Sequence, residues 1–292
     1  MDHDEWLAER FEEYRSHLRA VAYRLLGSVS EADDALQEAW LRLSRSDMSG
    51  VESVGAWLTT GVARVSLNML RARKARREQS LEARFPDPIV ASPDGADPER
   101  QALIADSVGF ALLIVLDALD PAERVAFVLH DMFAVPFDEI AWITERSPAA
   151  ARQLASRARR RVRQAPVPDP DLARQREVVD AFAAAAQEGD FAALMTLLDP
   201  DIVLREDAGP GRPGESVVVL GARAVAERAA SFAQLTPYAR AVLVNGAVGA
   251  LVAPGGRPFA LMSFTVTDGR IVEIDVLADP VRLNALGLSA LL

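Results

Sequence analysis

The sequence predicts a multidomain chain: two all-α domains, the second with a helix-turn-helix, followed by an α+β domain. Three observations carry this. Residues 136–163 have the spacing of a short helix, a tight turn and a second helix. Three longer helical patterns occupy residues 5–78. After a proline-rich stretch at 165–171, short strand-like segments and turn signals appear between the remaining helices.

In chain order, residues 5–26 keep Phe11, Tyr14, Leu18, Val21, Ala22 and Leu25 on one helical face, and Gly27 ends the pattern. Ser30 is the expected cap of the next helix, with Asp33 in capping-box position. There Ala32, Ala35, Leu36, Ala39 and Leu43 point inward. Asp34, Gln37, Glu38 and Leu41 point elsewhere, as a solvated acidic face or a partner surface. A third helix begins at Ala56 and becomes basic: Arg64, Arg71, Arg73, Lys74, Arg76 and Arg77 precede the first acid, Glu78. Cations suit a helix C-terminus, but six exceed that need. Asn68 at the edge of this surface has an amide that can bond a base. Residues 81–105 hold four prolines without periodicity and read as a linker.

A helical pattern returns at 101–119, and Asp120-Pro121 starts another that leads into the helix-turn-helix. Its first helix spans about 137–143, and Thr144, Glu145 and Arg146 turn the chain. Ser147 is the N-cap of the second helix, and Pro148 takes the first position, where a missing N–H costs nothing. Ala151, Leu154, Ala155, Ala158 and Val162 form its apolar face. Opposite lie Arg152, Gln153 and Ser156, suited to base edges, and Arg159, Arg160 and Arg163, suited to phosphates. Seven arginines stand between Glu145 and the next acid, Asp169. A basic solvated helix would balance them with neighbouring acids, so this pattern favours DNA.

The net charge of −10 conflicts with DNA binding only as an average. Residues 1–165 carry 22 basic and 26 acidic side chains, and residues 166–292 carry 10 and 16. The basic charge is concentrated in two stripes, 64–77 and 146–163, which can face phosphates. The absence of cysteine excludes disulfides, thiolate metal sites and cysteine nucleophiles. No signal peptide or bilayer-length apolar run is present, so a cytoplasmic protein with no membrane contact is expected. No metal and no cofactor are expected.

The order of these elements over residues 5–165 resembles an alternative sigma factor of bacterial RNA polymerase, of the extracytoplasmic-function type. DDALQEAWLRL, from Asp33, looks like that family's helix for the polymerase clamp. The stretch from Ala56 to Glu78 looks like its promoter-melting and minus-ten segment, and Asp138 to Val162 like its minus-thirty-five reader. The resemblance implies core RNA polymerase and promoter DNA as partners. It gives Asp34, Gln37, Glu38 and Leu41 the polymerase contact. Trp57 and Asn68 fall near the unpaired minus-ten strand, a place that demands base capture; for Trp57 a plain core position is the favoured alternative. The implied domains are 1–80, for polymerase and the minus-ten element, and 106–164, for the minus-thirty-five element.

A hinge at 165–171 then leads to residues 172–292. Their predicted order is helix, helix, strand, strand, helix and an antiparallel meander, with a hairpin turn at Thr267-Asp268-Gly269. This resembles the cone-shaped SnoaL-like α+β fold, and sigma factors with such tails form a group whose marks recur here in degenerate form. They are the linker Pro86-Asp87-Pro88, the loop containing Asp207, Gly209, Gly211 and Arg212, and the terminal Asp279, Pro280, Arg282 and Leu283. The resemblance implies a regulatory contact through these residues. Val203, Leu243, Leu261, Phe264 and Ile274 are the expected lining of the cone, suited to a small apolar ligand or to a filled core. Cyclases of this fold pair an acid with a histidine, and the three histidines, His3, His17 and His130, all lie outside the tail. Carboxylates alone, Glu206, Asp207, Glu273 or Asp275, are the remaining candidate bases, and no catalytic residue is expected. The rival readings are a ligand-responsive helix-turn-helix regulator and a SnoaL-like enzyme fused to a DNA-binding module.

Overall fold

The computed structural model describes residues 3–46, 50–51, 53–77, 85–93, 109–209 and 217–292. The chain divides into two compact units: Met1–Leu81 with Leu113–Gln164, and Glu82–Leu112 with Ala165–Leu292.

The first unit is helical among its described residues. Helices α1 (His3–Leu26), α2 (Val29–Leu43) and α3 (Val54–Arg77) pack on one another. α1 ends at Gly27, whose φ of 73° is the left-handed stop that glycine supplies. The five α2 residues expected inward are the five that are buried. The expected cap is corrected. α2 starts at Val29 after Ser28, so Ser30 lies inside the helix, and Asp33 binds Arg19 of α1 at 2.7 and 2.8 Å. A partner on another helix outcompetes the local capping box.

The second part of this unit contains α4 (Phe110–Asp117), α5 (Pro121–Phe127), α6 (Phe137–Thr144) and α7 (Pro148–Val162). Asp120 caps α5 by accepting from Ala122 N at 3.1 Å. α5 continues into a π-helical turn, Val128–Met132, that no spacing argument anticipates. Between α6 and α7, Glu145 takes left-handed φ and ψ of 58° and 44°, and Ser147 accepts from Ala150 N at 3.2 Å. α3 packs against both α5 and α6. Arg124 of α5, 1% exposed, bonds Asp117 at 2.9 Å and reaches the carbonyl of Arg24. Phe133 meets the His17 ring edge-on at 5.3 Å.

The second unit is a seven-stranded sheet in the order β1-β4-β5-β6-β7-β2-β3. The strands are β1 (Val90–Ala91), β2 (Leu198–Asp207), β3 (Val217–Leu220), β4 (Ala239–Val244), β5 (Ala247–Val252), β6 (Ala260–Thr267) and β7 (Arg270–Leu277). Every pairing is antiparallel except β2 with β7. The helices are α8 (Leu172–Glu188), α9 (Phe191–Leu197), α10 (Ala222–Ser231) and α11 (Pro280–Ala285), with a 3-10 segment at Ala233–Tyr238. From α8 onward the element order is the one expected for the SnoaL-like fold. Asp171, Asp190 and Asp279 cap α8, α9 and α11.

Three expectations change here. Residues 85–91 do not behave as a loose linker: Val90 and Ala91 pair with Val244 and Leu243, and Ile89 exchanges bonds with Asn245 in the β4–β5 turn. A two-residue edge strand is too short to leave a periodic signal. The hinge is fastened as well. Asp169 N donates to Val266 O at 2.8 Å, and Gln175, 2% exposed, bonds Asp169 O and takes a bond from Val248 N. The lining is partly corrected: Ile202 and Leu204 are buried where Val203 was expected, Leu243 is half-buried, and Leu261 is buried on the opposite face of the sheet, whereas Phe264 and Ile274 lie in the helix-covered core. Ile202, Val203 and Leu204 form a continuous apolar run, and alternation cannot choose the inward face of such a run. Under α8, α9 and α10 the core is filled, with Phe182 set edge-on to Phe264 at 5.8 Å.

Candidate functional site

The α7 face is built by small residues behind it. Ala151, Ala155 and Ala158 are fully buried and let α7 lie close against α5 and α6. Arg152, Gln153, Ser156, Arg160 and Arg163 are exposed on the opposite side. The Arg152 guanidinium sits 5.5 Å from the Phe137 ring centroid. Arg159 departs from its expected free state: it is half-buried and bonds Asp131 at 2.7 Å. Arg157 and Arg161 each lie 3.9 Å from Glu123. The acids missing from the local sequence arrive from α5 and its π-helical extension, so the arginine stripe is partly balanced.

On α3, Asn68, Arg71 and Lys74 are exposed. Arg73, expected at DNA, is corrected to a structural clamp. It is half-buried and bonds Leu26 O, Asp117 and Glu31. Its guanidinium thus joins the end of α1, the start of α2 and the end of α4. Lys74 binds Asp120 at 2.8 Å. Partial burial opposes ionisation of Asp120, but bonds from Lys74 and Ala122 N, with the charges of Lys74 and Arg71, hold its carboxyl below the ordinary value. Arg64 stacks on exposed Trp142 of α6 at 3.9 Å. The side chains of Arg76 and Arg77 lie outside the described residues.

On α2, Asp34, Gln37 and Leu41 are exposed, and Leu41 keeps 45% of its surface. Glu38 is half-buried and accepts from Arg42 at 2.7 Å. Asp34 and Gln37 also line a groove of 430 Å³ between α1 and α2, floored by Phe11 and Trp40. An acidic, amide-bearing rim over an aromatic floor can take a basic partner helix.

In the second unit, Arg282 collects the tail's marked residues. It is 4% exposed. Nη1 donates to Asp207 at 2.6 Å, Nε to Asp87 at 2.9 Å, and Nη2 to Asp87 and to the carbonyls of Phe85 and Pro86. Asp207 also accepts from Phe85 N and Gly209 N. Gly209 holds φ at 77°, and a Cβ there would stand 2.6 Å from Asp279 Cγ, so this approach requires glycine. Asp279 in turn caps α11 and so aims Arg282. Pro86, Pro88 and Leu283 are buried, and Pro280 is exposed. Gly211 and Arg212 lie outside the described residues.

A second ionic cluster escaped the sequence reading. Arg205 of β2 bonds Glu273 at 2.8 Å and Asp275 at 3.0 Å on β7. Burial lifts the Asp275 carboxyl to about 7, Arg205 opposes the rise and Glu273 adds to it. Burial opposes the Arg205 charge, but the two acids hold it firmly protonated. The Arg205 guanidinium keeps its proton, yet its pull on Asp275 does not offset the burial of that carboxyl. Alternation is the signal that could have found this cluster, since Glu273 and Asp275 share a face two residues apart. Among the described residues, no group of three His, Cys, Asp or Glu side chains is placed to hold a metal, and no helix is long and apolar enough to cross a membrane.

Residues 10–76 match the family model for sigma-70 region 2, and residues 110–162 the model for sigma-70 region 4. The chain is 40% identical to the ECF RNA polymerase sigma factor SigJ of Mycobacterium tuberculosis, over 92% of this chain and 91% of that one. It is 33% identical to the probable ECF RNA polymerase sigma factor SigI of the same organism, over 94% and 93%. The crystal structure of M. tuberculosis SigJ superposes with a TM-score of 0.77 at 36% identity, covering 95% of this chain and 98% of that one. With both region models matched in order and a relative 40% identical over nine-tenths of either chain, the chain belongs to the extracytoplasmic-function family of RNA polymerase sigma factors.

Proposed function

We propose that this sigma factor directs core RNA polymerase to two-part promoters, with its tail regulating it in cis. Asp34, Gln37, Glu38 and Leu41 meet the polymerase. Asn68, Arg71 and Lys74 serve the minus-ten element, joined by Arg76 and Arg77. Arg152, Gln153 and Ser156 read bases of the minus-thirty-five element, while Arg160 and Arg163, with Arg159 once it leaves Asp131, hold phosphates. The observation that carries the polymerase contact is the set of polar and apolar side chains left exposed beside the five buried residues of α2. It is tested by replacing Gln37 and Leu41 together with arginine. Both lie off the buried face, so the expected outcome is a folded protein with at least tenfold weaker binding to core polymerase; unchanged binding would remove α2 from the interface.

The cis regulation rests on the Arg282 clasp and on β1. The chain between the two promoter-reading halves is stitched to the tail by one buried guanidinium and an edge strand. Holding that stretch fixes the reach of the two halves, because linker length and stiffness set the separation they can span. Within the helical unit, Lys74, Arg73 and Arg64 are engaged by Asp120, Asp117 and Trp142. The Lys74–Asp120 contact must open before Lys74 meets DNA, while Arg73 keeps its structural bonds. The tail acts in this reading by contact, with no catalytic step: its acids Glu206, Asp207, Glu273 and Asp275 are each held by an arginine.

A further inference from the structure

The π-helical turn after α5 carries a histidine that the promoter contacts leave unused. The chain closes tightly behind it. Ala134 N donates to His130 O at 3.1 Å, and Val135 N to Leu129 O at 2.9 Å. Ala134 takes a φ of 54°, a left-handed conformation that is costly for alanine and persists where its surroundings impose it. The His130 side chain adds a third bond to this closure. Its Nδ1 lies 3.1 Å from Val135 O, and a carbonyl can only accept, so Nδ1 donates. That bond fixes the direction of the imidazole. The ring stacks on Phe137, the first residue of α6, with centroids 3.9 Å apart and planes 29° from parallel. Both residues are half-buried, and neither belongs to the buried core.

Phe137 in turn supports α7. The Arg152 guanidinium lies 5.5 Å over its ring centroid, within the range of cation–π attraction. Arg152 stands in the second turn of α7, in the N-terminal half by which a reading helix meets base edges. Arg159, two turns further along the same face, is held differently. Its partner is the carboxylate of Asp131, the residue next to His130, which offsets its charge and occupies its Nε. An aromatic face does neither. It sets the direction of the side chain and leaves the charge and the five N–H donors for DNA. Ordering a long side chain before binding also removes part of the entropy cost of its contact. We propose that His130 and Phe137 are positioning residues for promoter recognition: His130 fixes the Phe137 ring, and the ring holds Arg152 aimed at its base. The proposal rests on the reading of Arg152 as a base contact. A cation–π pair at an exposed site favours the aimed orientation by about two- to fivefold, so discrimination at the one base that Arg152 meets should owe a factor of that size to the ring.

The test is a double-mutant cycle in holoenzyme assembled from the full chain and core polymerase. Binding is measured on a panel of promoters that carries every single-base substitution in the minus-thirty-five element. Phe137→Leu keeps an apolar side chain and removes the aromatic face. It should lower preference about two- to fivefold at the position where Arg152→Ala lowers it, with the other positions unchanged. In the Arg152→Ala background it should have no further effect there. Phe137→Tyr keeps the face and should keep the parent's preference. His130→Asn keeps a donor for Val135 O and removes the ring, so it should reproduce the Phe137→Leu pattern. A purely structural role would weaken all positions alike, with or without Arg152. A uniform loss across the panel, an equal loss in the presence and absence of Arg152, or parent-like preference in a folded Phe137→Leu protein overturns the proposal. Should Phe137→Leu fail to fold, the same comparison in His130→Asn decides. If Arg152→Ala itself changes preference at no position, the reading of Arg152 as a base contact fails and takes the proposal with it; the other adverse outcomes overturn the proposal alone.

Discussion

Replacing Arg282 with methionine keeps most of the side-chain volume and deletes the charge that joins the tail to residues 85–87. Five hydrogen bonds are lost, to Asp87 twice, to Asp207, and to the carbonyls of Phe85 and Pro86. The contributions are unequal. Asp87 retains 34% of its side-chain surface, so water replaces much of what Arg282 gave it. Asp207 retains 5%, and in the variant its carboxylate stays buried with only the Phe85 and Gly209 amides to bond it. Breaking a buried pair by removing one partner costs about 3–5 kcal/mol. For a unit of this size about 2–4 °C accompanies each kcal/mol, so a fall in Tm of about 6–20 °C is expected in the tail's transition. The double variant Arg282→Met with Asp207→Asn removes the buried uncompensated charge, leaving only the water-exposed Asp87, and should recover part of the loss, giving a coupling of at least about 1.5 kcal/mol. Hydrogen exchange at Ile89 and Ala91 should accelerate as their segment is released. In run-off transcription the single variant should be more active than the parent. A Tm within about 2 °C of the parent, with exchange at Ile89 unchanged, would refute the view that one guanidinium fastens this segment.

The Arg205 cluster predicts a pH dependence. With its folded-state value near 7 against an ordinary value near 4, Asp275 holds a proton in the folded chain that the unfolded chain has released. Stability therefore falls as pH rises from about 4 to about 7 and is level above that, by up to about 4 kcal/mol from this group. Asp275→Asn should flatten that slope and be more stable than the parent at pH 8, which chemical denaturation at several pH values checks. In promoter binding, Arg152→Ala should cost about 1–3 kcal/mol and relax preference at one position. Arg163→Ala should weaken all sequences alike and lower the salt dependence; identical profiles for both variants on a promoter panel would collapse the division between reading and holding.

Helical spacing carried most of the first unit. The inward face of α2, the cap at Ser147 and the split of α7 into buried alanines and exposed polar residues all follow from periodicity and local hydrogen bonding. What was not legible depended on distant partners. Arg73 and Arg159 look like free cations in the sequence, and only the packing brings Glu31, Asp117 and Asp131 to them. The 85–91 segment reads as linker because two paired residues leave no pattern, although the later Asn245-Gly246 turn that docks it is a hairpin signal in its own right. Parity failed at Val203, where three apolar residues follow one another in a strand covered on both sides. Arg282 stands out in the sequence only through resemblance, and nothing in its local context predicts its burial.

The central claim is that this chain gives core RNA polymerase its choice of promoter. Run-off transcription with purified core enzyme, the full chain and a library of promoters tests it most directly. Transcripts that appear only when the chain is added, and only from promoters sharing two spaced elements, are the predicted result. A chain that binds the same DNA but neither associates with core polymerase nor yields a transcript would contradict the claim and favour a regulator that acts without joining the enzyme.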